Sequence, residues 1–278
     1  MKDDSAIATT IKQTTLPPIF RWAGGKRKHT WLFDAIAKIF DADKHRLVEP
    51  FVGGMAIALG LEPEQALLND VNPHVINFYH QIKMGVGREY ELMLKYSDFS
   101  AEEYYRRRSL FNDPSMTPSQ SARFFYYLNR TCYNGLCRFN QSGGFNTPYG
   151  KLKKPKVDHD FNLYRDRFQN WQFSNLDFES LEIYSGDIVV ADPPYDVIEG
   201  KQDHDYSKGG FDWVDQVRCA DWLASLDVPV IACNLATDRI VKLYEGLGFR
   251  LEYVNAPRAI ACNGDRRPVR EILAFKNI

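Results

Sequence analysis

The stretch GDIVVADPPYDV, residues 186–197, decides how this chain is read. Ile188, Val189, Val190 and Ala191 rise as a buried β-run, which breaks off at Asp192, Pro193, Pro194 and Tyr195. Three other short apolar runs reach an acid or an amide in the same way: HRLVEP at 45–50, QALLND at 65–70 and VPVIACN at 228–234. Helical periodicity follows three of the four. FDWVDQVRCADWLASL at 211–226 repeats apolar residues at intervals of three and four and leads into the run at 228. TDRIVKLYEGLGF then reads as a helix ended by Gly246 or Gly248, before the strand-like RLEYV and REILAFKN. This alternation predicts an α/β fold: a Rossmann-like, doubly wound sheet with ligands at the carboxyl ends of its strands.

Between about residues 86 and 170 the rhythm stops. SAEEYYRRRSLFND and SQSARFFYYLNR read as helices with mixed faces, and CRFNQSGGFNTPYGKLKKPK, rich in Gly, Asn and Pro, as a hairpin with loops. The expected organisation is a loose tail at 1–17, a ligand-binding domain from 18–85 and 171–278, and a mainly helical insertion at 86–170 forming its own module. The net charge of −1 argues against indiscriminate binding to nucleic acid, but its distribution does not. From Pro114 to Val157 there is no Asp or Glu, where average content would place about six. That window holds Arg123, Arg130, Arg138, Lys151, Lys153, Lys154 and Lys156 among aromatics such as Phe124, Tyr127, Tyr133 and Phe145. Such a face suits an anionic polymer, although a solvated basic surface around an aromatic core has the same composition.

The 278 residues can bury a full core, and no run approaches the ~18 apolar residues of a membrane span. Residues 1–17 lack the apolar segment of a secretory signal. Five cysteines without a CxxC pair suit a reducing cytoplasm. Cys132 and Cys137 have no His or Cys neighbours at zinc-binding spacing, so no metal is expected.

Three motifs carry chemistry. In VEPFVGGMA, Val48 to Ala56, a strand leads into a Gly pair that lets backbone approach a ligand, or makes a tight turn. Asp70 ends the next strand, where an acid accepts ribose hydroxyls or caps the helix that starts near Pro73. In FRWAGGKRK, residues 20–28, Gly24, Gly25 and Lys26 offer amides and a cation to a carboxylate or phosphate, without the spacing of a P-loop. The opening stretch then makes sense as a site. Asp192 precedes proline and stays extended, while the prolines hold the Pro193 carbonyl with no nearby N–H to compete for it. A carboxylate, a carbonyl and the Tyr195 ring together fit an amine on a planar base. Holding both of its N–H groups would aim the nitrogen lone pair at an electrophile such as a sulfonium methyl. Reaching it requires the base to leave its duplex.

FRWAGGK, LVEPFVGG, LNRTCYNGLCRFN, GGFNTPYG, KKP and DPPY, in this order, resemble the Dam-type DNA adenine-N6 methyltransferases. The resemblance runs from about Phe20 to Phe211 and resumes in RRPVREILAFKN. It implies a methyltransferase sheet carrying a DNA-recognition insertion, S-adenosylmethionine as methyl donor, and double-stranded DNA as partner, with GATC or a relative as target. A cytoplasmic monomer without an obligate protein partner is expected. Trp22, Ala23, Gly24, Gly25 and Lys26 would hold the cofactor, with Lys26 near its carboxylate. Phe51 and Gly53 would line its pocket, Asp70 would take the ribose, Asp177 would reach the adenine edge, and Asp192 would border it. Asp192, Pro193, Pro194 and Tyr195 would be catalytic. Arg138 falls where the family reads a guanine, a task for a bidentate Arg fork. Tyr133, Asn134 and Leu136 would sit at base steps, and Arg21, Arg130, Lys151, Lys153, Lys154 and Tyr206 would meet DNA. The chain departs from the family at Asp203-His204, where relatives carry Phe-Thr, while keeping Tyr206 and Phe211 at their usual spacing. The polar segment 198–211 is expected to order on DNA. Related turns beginning in Asn or Ser serve RNA and protein methylation, and a silent DNA-binding module could keep the fold.

Overall fold

A computed structural model describes residues 16–151, 155, 159–196, 210–256 and 269–278. Lys153, Lys154, Tyr206 and most of the 198–211 segment lie outside the described residues. Among the described residues seven strands form one sheet: β1 (Arg46–Glu49), β2 (Gln65–Asn69), β3 (Trp171–Ser174), β4 (Asp187–Ala191), β5 (Val230–Leu235), β6 (Arg250–Ala256) and β7 (Val269–Lys276). Their order is β3-β2-β1-β4-β5-β7-β6. The first five run parallel, and β7 lies antiparallel between β5 and β6. β4 and β5 are buried at every residue, which is why both read as unbroken apolar runs.

Alternation along the strands divides the core. Leu47, Leu68, Ile188, Val190 and Ile231 face one side, and Val48, Leu67, Val189, Ala191 and Val230 the other. The second side is covered by α8 (Trp213–Ser225) and α9 (Asp238–Gly246) through Cys219, Ala220, Leu223, Ile240 and Tyr244. The first is covered by α1 (Thr30–Ala37), by residues around the short α2 (Ala58–Leu61), and by α3 (Pro73–Lys83).

Over α3 lie α4 (Gly87–Tyr96), α5 (Ala101–Phe111), α6 (Pro118–Thr131) and α7 (Phe161–Arg167). Segment 86–170 packs closely on α3. Phe78 of α3 packs on Tyr90 of α4 at 5.5 Å and on Tyr126 of α6 at 5.6 Å, inside the cluster that covers the sheet. Burial of each such ring stabilises by about 2 kcal/mol or more, so detaching these helices would expose the core of both parts. Strand β3 escapes a sequence reading because WQFS alternates buried and exposed positions over only four residues. Among the described residues no helix is long and apolar enough to cross a membrane.

Candidate active site

Strand order reverses between β1 and β4, so the loops leaving these two strands flank the crevice where such sheets bind ligands. After β1 comes the Gly pair. Gly53 lies at φ 42°, in the left-handed region, and a Cβ there would stand 2.5 Å from Trp22 Nε1. A Cβ on Gly54 would stand 2.8 Å from Trp22 Cβ. Both positions are glycine because the Trp22 side chain rests on this backbone. Hydrogen bonds pin the loop: Gly53 N–H donates to Asp70 Oδ2 at 2.9 Å, and Tyr79 Oη donates to the Gly53 carbonyl at 2.7 Å. The other Asp70 oxygen accepts from Asn72 N–H at 2.9 Å. Asn72, not Asp70, caps α3, through His74 N–H. Asp70 therefore latches two loops together and keeps spare lone pairs on both oxygens. Burial pushes its carboxyl up to about 6 against the pull of the two backbone donors. Phe51 supplies an apolar wall with Phe178 at 5.5 Å and Phe211 at 5.8 Å, the latter edge-on. Upstream, Ala23, Gly24 and Gly25 form a turn closed by a hydrogen bond from Gly25 N–H to the Trp22 carbonyl, with Gly24 at φ 76°. It leads into the single 3₁₀ turn Lys26–Lys28.

The Asp192–Tyr195 turn faces Lys26. Lys26 is 3% exposed, its Nζ 3.0 Å from Asp192 Oδ1 and 4.4 Å from the centroid of the Tyr195 ring. Burial opposes the lysine's charge, but Asp192, Cys233 and Glu271 outweigh it and hold the ammonium above its ordinary value. For Asp192 burial dominates and raises the carboxyl, with Lys26 and Tyr195 pulling the other way. A cofactor carboxylate was the expected partner of Lys26; the partner here is the carboxylate of the turn itself. The turn is held from behind. Gln216 Nε2 donates to the Pro194 carbonyl at 2.7 Å, and Asn234 Nδ2 donates to Gln216 Oε1 at 2.9 Å. Asp196 N–H donates to Asn234 Oδ1 at 3.0 Å, while the Asp196 carboxylate accepts from Thr237 and Arg239. Tyr195 Oη donates to Glu271 Oε2 at 2.8 Å. Pro193 is buried between these anchors.

Tyr133 and Asn134 are exposed on a 3₁₀ turn after α6, with Asn134 at φ 53° and Leu136 half-buried beside them. A Cβ on Gly135 would stand 2.3 Å from Arg21 Cβ, so the stem of Arg21 lies against this turn. Arg138 is exposed at the base of a hairpin bridged by Phe139 and Phe145, and its Nε donates to Asn146 Oδ1 at 2.8 Å. The Asn112 side chain braces the hairpin by pairing with both backbone groups of Phe145. Lys151 is exposed. Arg130 differs from expectation: it is 9% exposed and points Nη1 at the Ile19 carbonyl, because the inner face of α6 turns it into the core. It reaches toward the N-terminal segment. Asp177 is exposed, and one of its oxygens accepts from Glu179 N–H and from Arg218 Nη2.

Sequence reasoning missed Glu271, Asn234 and Gln216. An acid among the apolar residues of REILAF was a readable signal for Glu271, and the amide closing VPVIACN one for Asn234. Gln216 had no signal, since a helix carries glutamine anywhere. Among the described residues no group of three or more His, Cys, Asp or Glu could hold a metal ion.

A family profile described as D12 class N6 adenine-specific DNA methyltransferase matches residues 22–260. The chain belongs to that family. A DNA N-6-adenine-methyltransferase of Escherichia phage P1 is 33% identical over 262 residues, 90% of this chain but 34% of that protein, so the chain spans about a third of that relative's length. The Retron Ec67 DNA adenine methylase of Escherichia coli is 34% identical, over 92% of this chain and 90% of its own. The DNA adenine methylase of Haemophilus influenzae is 31% identical, over 93% of each. For an adenine-N6 methyltransferase, the paired carboxylate and ring at the switch point have an evident use.

Proposed function

We propose that the enzyme transfers the methyl of S-adenosylmethionine to N6 of an adenine extruded from duplex DNA, in GATC or a related site. The observation that carries this reading is the Asp192–Tyr195 turn, rigidly backed by Gln216 and Asn234, at the switch point beside the Gly53–Asp70 latch. The cofactor fits what lies there. Asp70 keeps lone pairs for ribose hydroxyls, Phe51 and Phe178 offer apolar walls, and the backbone under Trp22 admits close approach. The bound cofactor supplies an electrophilic sulfonium methyl. Asp192 and the Pro193 carbonyl accept the two N6 hydrogens, which localises the nitrogen lone pair toward the donor. Tyr195 gives the extruded base a face to stack on. No strong base is required, because the proton becomes acidic only once N6 carries four bonds. The role of Lys26 is to keep Asp192 ionised in a buried place. The turn carrying exposed Tyr133 and Asn134 with half-buried Arg21 and Leu136, and exposed Arg138 on the hairpin, would read the duplex, with Arg138 on a guanine and exposed Lys151 meeting phosphate. The enzyme is a monomer in solution.

Labelled-methyl transfer to duplexes with and without GATC tests the reading. Label should enter the GATC duplex and map to N6 of its adenine. Label in a different base, or none with S-adenosylmethionine present, overturns it. Equal label in both duplexes keeps the chemistry and removes the site.

A further inference from the structure

One buried carboxylate accepts a hydrogen bond from the ring that the proposed chemistry needs. Glu271, on β7 opposite Leu235 of β5, is 6% exposed and accepts the Tyr195 hydroxyl at 2.8 Å. Its strand lies inside the sheet between two neighbours, so it offers Tyr195 a fixed acceptor 76 residues away in sequence. On the ring's face stands the Lys26 ammonium, which also meets Asp192. One cation thus sits among a buried carboxylate, a half-buried one and a π-face, and the site is built to favour positive charge there.

Methyl transfer creates positive charge beside the same ring. The N6–C bond forms as the S–C bond breaks with its electron pair going to sulfur, and N6 bears the charge until its proton passes to water. A phenol that donates to a carboxylate has a more electron-rich ring and a stronger attraction for a cation on its face. We propose that Glu271 is a positioning residue for methyl transfer: it fixes the Tyr195 ring and, by accepting its hydrogen bond, strengthens the ring's hold on the charge developing at N6. This rests on the reading under Proposed function.

The test compares single-turnover transfer, and KM for duplex and for cofactor, in wild type, Glu271→Gln, Tyr195→Phe and the double variant. Glutamine keeps an acceptor but removes the charge, and phenylalanine keeps the ring but removes the donor. Each single change should lower the single-turnover rate about 5–10-fold with both KM values within about twofold. The double variant should be no slower than Tyr195→Phe alone, because both changes act through the same hydrogen bond, which phenylalanine already removes. A wild-type rate in either single variant, a loss confined to KM, or losses that multiply in the double variant would overturn the role. Tyr195→Phe carries the test if Glu271→Gln does not fold. Wild type failing to methylate any duplex would sink the functional reading itself, a result distinct from all of these.

Discussion

Gly53→Ala tests whether the cofactor loop is shaped by the Trp22 side chain. Two costs are separable. Alanine at φ 42° pays for left-handed backbone, about 1–2 kcal/mol. Its Cβ would also stand 2.5 Å from Trp22 Nε1 and 2.9 Å from Cε2, a collision worth about 1–3 kcal/mol as overpacking. Together the variant should lose about 2–5 kcal/mol of stability. Trp22→Ala removes the collision but leaves the backbone cost. In the double variant the loss should therefore fall short of the sum of the singles by about 1–3 kcal/mol. Urea unfolding followed by circular dichroism measures this, with the slope checked for constancy. Cofactor affinity should fall in Gly53→Ala as the displaced indole disturbs the loop, which a titration reads separately. If the single losses add to within about 0.5 kcal/mol, the indole does not shape the loop and the steric argument is wrong.

Asp192→Ala should abolish transfer while duplex affinity changes little; normal turnover in that variant would remove the carboxylate from the chemistry. Lys26→Met takes away the cation that opposes the burial-driven rise of Asp192, so the carboxyl rises further and the acid limb of the rate profile should move to higher pH. An acid limb unmoved by the change would show that Lys26 does not tune Asp192. Asp70, at about 6, should bind cofactor fully above that pH and progressively less below it, as protonation removes an acceptor for hydroxyls; in Asp70→Asn the inflection should vanish. Its effect on folding has the opposite sense: the folded pKa lies above the unfolded value of 3.8, so folding favours the protonated form, and Asp70's contribution to stability declines as pH rises from about 4 through about 6. Arg138→Ala should cost about 1–3 kcal/mol of discrimination at one guanine, read by competition between duplexes altered one base at a time; an unchanged preference everywhere would remove it as a reader.

What the sequence displayed and what it hid follow from whether the cause was local. β4 and β5 were legible because strands buried on both faces are mostly apolar, and the Asp192 turn because proline acts on the residues beside it. Gly53 was legible as a close approach, but the approaching group was not. Trp22 is 31 positions upstream, and only the folded chain sets its side chain on that backbone. The burial of Arg130 was hidden for a related reason. Composition showed a basic, acid-free window, yet which of its cations turn inward depends on how α6 lies over α3. Lys26 is the sharpest case. Its sequence neighbourhood suggests an anion from outside, whereas the sheet brings an anion of its own, Asp192, within 3.0 Å. A buried lysine and a buried aspartate each costs several kcal/mol alone, and neither residue's own segment reveals the other. Charge pairs across a sheet's switch point are therefore the part of such a site least accessible to motif reading, because the two halves meet only when the crossover connections have folded.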